Sequence, residues 1–83
     1  MRVKKDFIVL SFESTEDAME MEGYGKREPL FPGRLIPLPA EISAGCGFAW
    51  KCPLEQEEAL FFHVKDKGLN YGGSYIINMW DVV

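Results

Sequence analysis

The sequence predicts an α+β domain in which strands and helices alternate as βαββαβ. Three observations carry that expectation. Runs rich in β-branched and aromatic residues recur between glycine and proline punctuation. Two intervening segments open with helix-start signals. The 83 residues, 47% hydrophobic and 27% charged, suffice for one domain with one core, residues 1–83, and no more.

Asp6–Phe12 reads as a buried first strand. Ser14 followed by Asp17 is a capping-box pattern, and Glu16 and Asp17 sit where the positive end of the helix dipole favours carboxylates. A helix over roughly Ser14–Gly23 follows, with Ala18 and Met21 on one face; Pro29 and Pro32 bar its continuation. Arg34–Leu38 reads as a second strand placed at an edge, because Pro37 has no N–H for a ladder bond. Phe48–Cys52 is a third strand. Pro53 then suits a first helical turn, with Glu55, Glu57 and Glu58 near its start. Leu54, Phe61 and Val64 recur at helical spacing, and Gly68 is a left-handed terminator. Asn70–Gly73 is a turn, and Tyr75–Trp80 is the last strand. The resulting fold is a ferredoxin-like βαββαβ sandwich: one antiparallel sheet with two helices on one face.

A net charge of −4, with no block of lysine or arginine, argues against nucleic-acid binding, which depends on neutralising phosphates. Phe7–Phe12 is too short for a signal h-region or a membrane span, so the expectation is a cytoplasmic protein without a membrane partner. Two cysteines in such a chain read as thiols rather than a disulfide framework. So small a domain offers little room for several convergent catalytic groups, which leaves enzymatic activity open and favours a carrier, regulator or adaptor.

Cys46 is the candidate functional atom. It stands between Gly45 and Gly47 after Pro37-Leu-Pro39, so neither neighbour shields the sulfur. Ser43, Gly45, Gly47 and Arg34 are the accompanying candidate binding residues: amides of the glycine loop would stabilise an anion, and Arg34 or Lys51 would add positive charge. Against this stands the simpler reading that the glycines only shape a turn. Cys52 lies six residues on; an extended chain would separate the two thiols by roughly 20 Å, so Cys52 is read as structural. His63 has no partner at a recognised metal-ligand spacing, and no metal or other cofactor is expected. Trp50, Tyr75 and Trp80 are read as packing the core or covering the open sheet face, where a homodimer contact is a candidate.

The run from Phe31 to Cys52 resembles a small bacterial family, the selenium/sulfur carrier-like proteins. The family's features are a first strand ending in Phe, a hydroxyl residue opening a helix, a Pro-x-Pro segment, an Ile-Ser pair and a Cys-Gly dipeptide. In this chain they fall on Phe12, Ser14, Pro37 and Pro39, Ile42 and Ser43, and Cys46 and Gly47. The chain departs at Ala40, where family members usually carry arginine. The resemblance implies transport of reactive sulfur or selenium, as persulfide or selenide, on Cys46, between a donor protein and an acceptor protein. The alternatives are a noncatalytic interaction or regulatory module, and a thiol redox switch.

Overall fold

The computed structural model describes residues 2–43 and 45–82. Its elements are β1 (Arg2–Ser11), α1 (Thr15–Arg27), β2 (Arg34–Pro37), β3 (Phe48–Pro53), a 3-10 turn (Leu54–Gln56), α2 (Glu57–Lys67) and β4 (Ser74–Val82). The strands form one antiparallel sheet in the order β2-β3-β1-β4. The α+β class, the single four-stranded sheet and the two helices are as the sequence predicts.

Alternation along β1 sorts the interior into two layers. Ile8 and Leu10, with Phe12 just beyond the strand, pack with Trp50 and Cys52 of β3 and with residues of both helices: Ala18, Met21 and Tyr24 of α1, and Leu60 and Val64 of α2. Both helices therefore cover the same face. The intervening residues Phe7 and Val9 point to the other face and cluster with Ala49, Ile77 and Ile42. Ile42 lies outside the strands, so the segment after β2 folds back over this second face. Lys51 also projects there: its ammonium lies 4.2 Å from the Phe7 ring centroid and donates to the Trp80 carbonyl at 3.3 Å. The register aligns Lys51 with Val9 and Tyr75, five residues from Trp80. On a flat sheet that offset is about 16 Å, beyond one lysine side chain, so the β1–β4 ribbon coils over the face and leaves Lys51 only 7% exposed.

Several boundaries differ from expectation for physical reasons. Helix α1 opens as predicted, with the Ser14 hydroxyl accepting from the Asp17 amide at 3.2 Å. It then runs through Gly23 and Gly25 to Arg27 rather than ending near Gly23. Two interior glycines cost about 1 kcal/mol each. The extension buries Tyr24, and at Gly25 an added Cβ would meet the Trp50 ring at 3.0 Å, so the second glycine lets the helix approach the indole. Pro53 ends β3 instead of starting a helix; the 3-10 turn intervenes, and α2 begins at Glu57. Leu60 and Val64 are the buried residues of α2, with Leu54 and Phe61 only half-buried. Gly68 does terminate α2 in the left-handed conformation, at φ 65°. Trp50 is 3% exposed under the helices, its Nε1 donating to the Pro32 carbonyl at 2.9 Å; it does not lie on the open face. Tyr75 does project there, whereas Trp80 falls on the alternate rungs and is exposed, with Lys4 5.5 Å from its ring centroid.

Candidate functional site at the cysteine loop

The connection between β2 and β3 is pinned at both ends. The Leu38 amide donates to the Gly47 carbonyl at 2.9 Å, continuing the β2–β3 pairing one step past Pro37. The Ile42 amide closes a turn onto the Pro39 carbonyl at 3.0 Å, and the Ile42 side chain is buried against Val9 and Ala49. Between these anchors Ser43 is exposed.

Gly45 and Gly47 both have positive φ, 130° and 101°. A Cβ at Gly45 would come within 3.3 Å of the Phe12 carbonyl oxygen; at Gly47 it would meet nothing within 4 Å. The two glycines thus bend the chain around Cys46, and Gly45 also lets the loop close on the end of β1. Cys46 itself is a free, half-buried thiol, packed against the helix-side layer but not enclosed by it.

Beside the loop lies a cleft of about 400 Å³ lined by Ser11, Phe12, Glu13, Gly45, Gly72 and Tyr75. Its far wall is the turn before β4, held to the end of β1 by three hydrogen bonds. Ser11 N–H donates to the Gly73 carbonyl at 2.9 Å, Gly72 N–H to the Ser11 carbonyl at 2.7 Å, and Gly73 N–H to the Ser11 hydroxyl at 3.0 Å. Ser11, Glu13, Gly72 and Tyr75 were not legible as site residues, because the Ser11–Gly73 contact joins positions 62 residues apart. The Gly72-Gly73 pair signals only a turn.

Of the sequence-predicted residues, Ser43, Gly45, Cys46 and Gly47 share this one loop. Arg34 does not join them. It pairs with Lys51 at the opposite end of the β2–β3 ladder, three residues from Pro37, or about 10 Å of strand. The Lys51 ammonium is engaged with Phe7 and Trp80. Neither cation stands beside the cysteine loop, so the expected positive charge at the sulfur is not supplied from there.

Cys52 contrasts with Cys46. It is 0% exposed, its Sγ donates to the Pro53 carbonyl at 3.4 Å, and burial, assisted by the negative charges of Glu55 and Glu57, pushes its thiol up to about 11. A group held protonated in this way is a poor nucleophile. The two cysteines are not bonded to each other.

His63 is likewise structural in its contacts. Its Nδ1 shares a 2.6 Å hydrogen bond with the Tyr24 hydroxyl, linking α2 to α1, and Phe31 packs edge-on against its ring. Among the described residues no cluster of three or more His, Cys, Asp or Glu could hold a metal ion, and no helix is long and apolar enough to cross a membrane.

Cys46 is thus the less buried of the two thiols, and two glycines at positive φ frame it. The family model described as "Putative Se/S carrier protein-like" matches residues 7–76. The chain belongs to this family. The matched span takes in the whole cysteine loop, both helices and the Gly72-Gly73 wall of the cleft. No curated protein and no solved structure matches the chain.

Proposed function

We propose that this member of the Se/S carrier-like family holds sulfur or selenium on Cys46 and passes it between partner proteins in the cytoplasm. The observation that carries the reading is the half-buried free thiol of Cys46 on the glycine loop, next to Gly45, which lines the cleft, within the span of the family match. In the proposed cycle the Cys46 thiolate attacks the terminal sulfur of a donor persulfide. The donor S–S bond breaks, the donor leaves as a thiolate, and Cys46 becomes Cys-S-SH. An acceptor nucleophile then attacks that outer sulfur and Cys46 departs as thiolate, so the cycle has no net oxidation. Selenium would follow the same path from a donor selenopersulfide. The element order and the sheet order suit a ferredoxin-like scaffold, in which rigid strands present the loop and the donor and acceptor supply the remaining chemistry.

The test is intact-mass analysis after incubation with a cysteine desulfurase and cysteine. The expected result is one added sulfur, removed by dithiothreitol and absent from Cys46→Ala. An unmodified wild-type mass, or equal modification of Cys46→Ala, refutes the reading.

One observation favours a second reading. The positive φ at Gly45 and Gly47 gives both glycines a purely geometric reason to be present. On that view the domain is a noncatalytic interaction module, Cys46→Ser retains partner binding, and the wild-type thiol reacts no faster than a peptide thiol. A redox switch would instead show peroxide-driven dimers that depend on Cys46.

A further inference from the structure

The two edges of the sheet are built differently. β2 is four residues long and ends at Pro37, followed by Pro39, features that block strand addition. β4 spans nine residues, contains no proline, and among the described residues pairs only with β1. The bond from Ser11 N–H to the Gly73 carbonyl fixes which rungs of the β1–β4 ladder are hydrogen-bonded: Val9–Tyr75 and Phe7–Ile77 bond inward. The N–H and C=O groups of Ser74, Ile76 and Asn78 therefore face away from the sheet. At Trp80 the carbonyl already accepts from Lys51. The open stretch is thus Ser74–Asn78.

That stretch carries no charged residue, and it is self-complementary about Ile76, whose side chain is 63% exposed. We propose that β4 pairs antiparallel with β4 of a second copy, with Ile76 on the two-fold axis. Ile76 then faces its own counterpart, each Ser74 faces Asn78 of the other copy, and each Tyr75 faces Ile77. The outward backbone groups bond as a regular ladder. The cross-strand pairs are of the aromatic and β-branched type that stabilises antiparallel sheets. Although each copy carries a net charge of −4, no like charges are placed opposite each other along this stretch. The contact is isologous, and the proline-blunted β2 edge prevents further addition, so assembly stops at two copies. Because Tyr75 and Gly45 line the same cleft, the pairing sets the two clefts, each beside its glycine loop, on either side of the axis. This assembly does not depend on Cys46 carrying a chalcogen.

So short an interface should associate with a dissociation constant of roughly 10 μM to 1 mM. Sedimentation equilibrium on the full chain should show a reversible monomer–dimer equilibrium in that range. Ile76→Lys, which sets two ammonium groups against each other, should raise the dissociation constant at least about tenfold. Register is tested with Ile76→Cys in a Cys46→Ser background under mild oxidation. Hydrogen-bonded partners have Cα atoms about 5.5 Å apart, within disulfide range, so a covalent dimer should form. The control is Phe62→Cys in the same background, at a residue 67% exposed on α2, which should remain monomeric. A wild-type chain monomeric up to about 1 mM overturns the proposal. So does equal cross-linking through positions 76 and 62.

Discussion

The structure separates two thiols that the sequence presents only six positions apart, and their alkylation should show it. Cys52 is fully buried and titrates near 11 instead of 9.0, desolvation being the larger cause and Glu55 and Glu57 the lesser. At pH 8 a thiol with that value is about 0.1% thiolate, against about 9% at the ordinary value, because each unit is a factor of ten. Ionisation alone therefore slows Cys52 about 100-fold relative to the unfolded chain, and occlusion of the sulfur slows it further. Iodoacetamide at pH 8, followed by peptide mass analysis, should label Cys46 in the folded protein while leaving Cys52 essentially unmodified. In 8 M urea both should react. Sodium chloride at 1 M should weaken only the contribution of the exposed Glu55 and Glu57, leaving the protection largely intact. Labelling of Cys52 in the folded chain at its urea rate would refute the burial argument, and with it the assignment of thiol chemistry to Cys46 alone.

The same shift makes stability depend on alkaline pH. Because the folded state holds the Cys52 proton more tightly than the unfolded state, this contribution is constant below pH 9 and is lost as pH rises through about 11. Two units correspond to about 2–3 kcal/mol. Urea denaturation from pH 8 to 11 should show that loss in the wild type beyond whatever slope Cys52→Ala retains; parallel curves would contradict it. The cysteine loop gives a separate test. Gly47→Ala meets no neighbour and should cost only the backbone strain of a positive φ, about 1–3 kcal/mol. Gly45→Ala adds crowding against the Phe12 carbonyl and should melt at a lower temperature than Gly47→Ala. Equal melting temperatures would show that the loop does not close on β1 as described.

Much of the architecture is encoded locally and could be recognised before any tertiary contact was known. The Ser14 cap, the Gly68 terminator and the β-rich runs depend on residues within a few positions of one another. Local preference is insufficient where a distant contact outweighs it or chooses between alternatives. α1 continues through Gly23 and Gly25 because Tyr24 becomes buried and Trp50 needs close approach at Gly25. Trp50 reads equally well as a face or a core residue until the register puts it on the same side as Cys52. Arg34 looks available to Cys46 along the chain, but antiparallel pairing with β3 carries it to the far end of the ladder.

The amino-acid sequence by itself determined that strands and helices alternate and that Cys46 sits in a glycine frame, since backbone preference and hydrophobic pattern are properties of neighbouring residues, whereas the expected single core is divided by the sheet into two layers. Only the tertiary structure decided which thiol is buried, where the cleft opens and which sheet edge is left for pairing. Those outcomes arise from contacts such as Ser11 with Gly73 and Lys51 with Trp80, whose partners meet only when the whole sheet has formed.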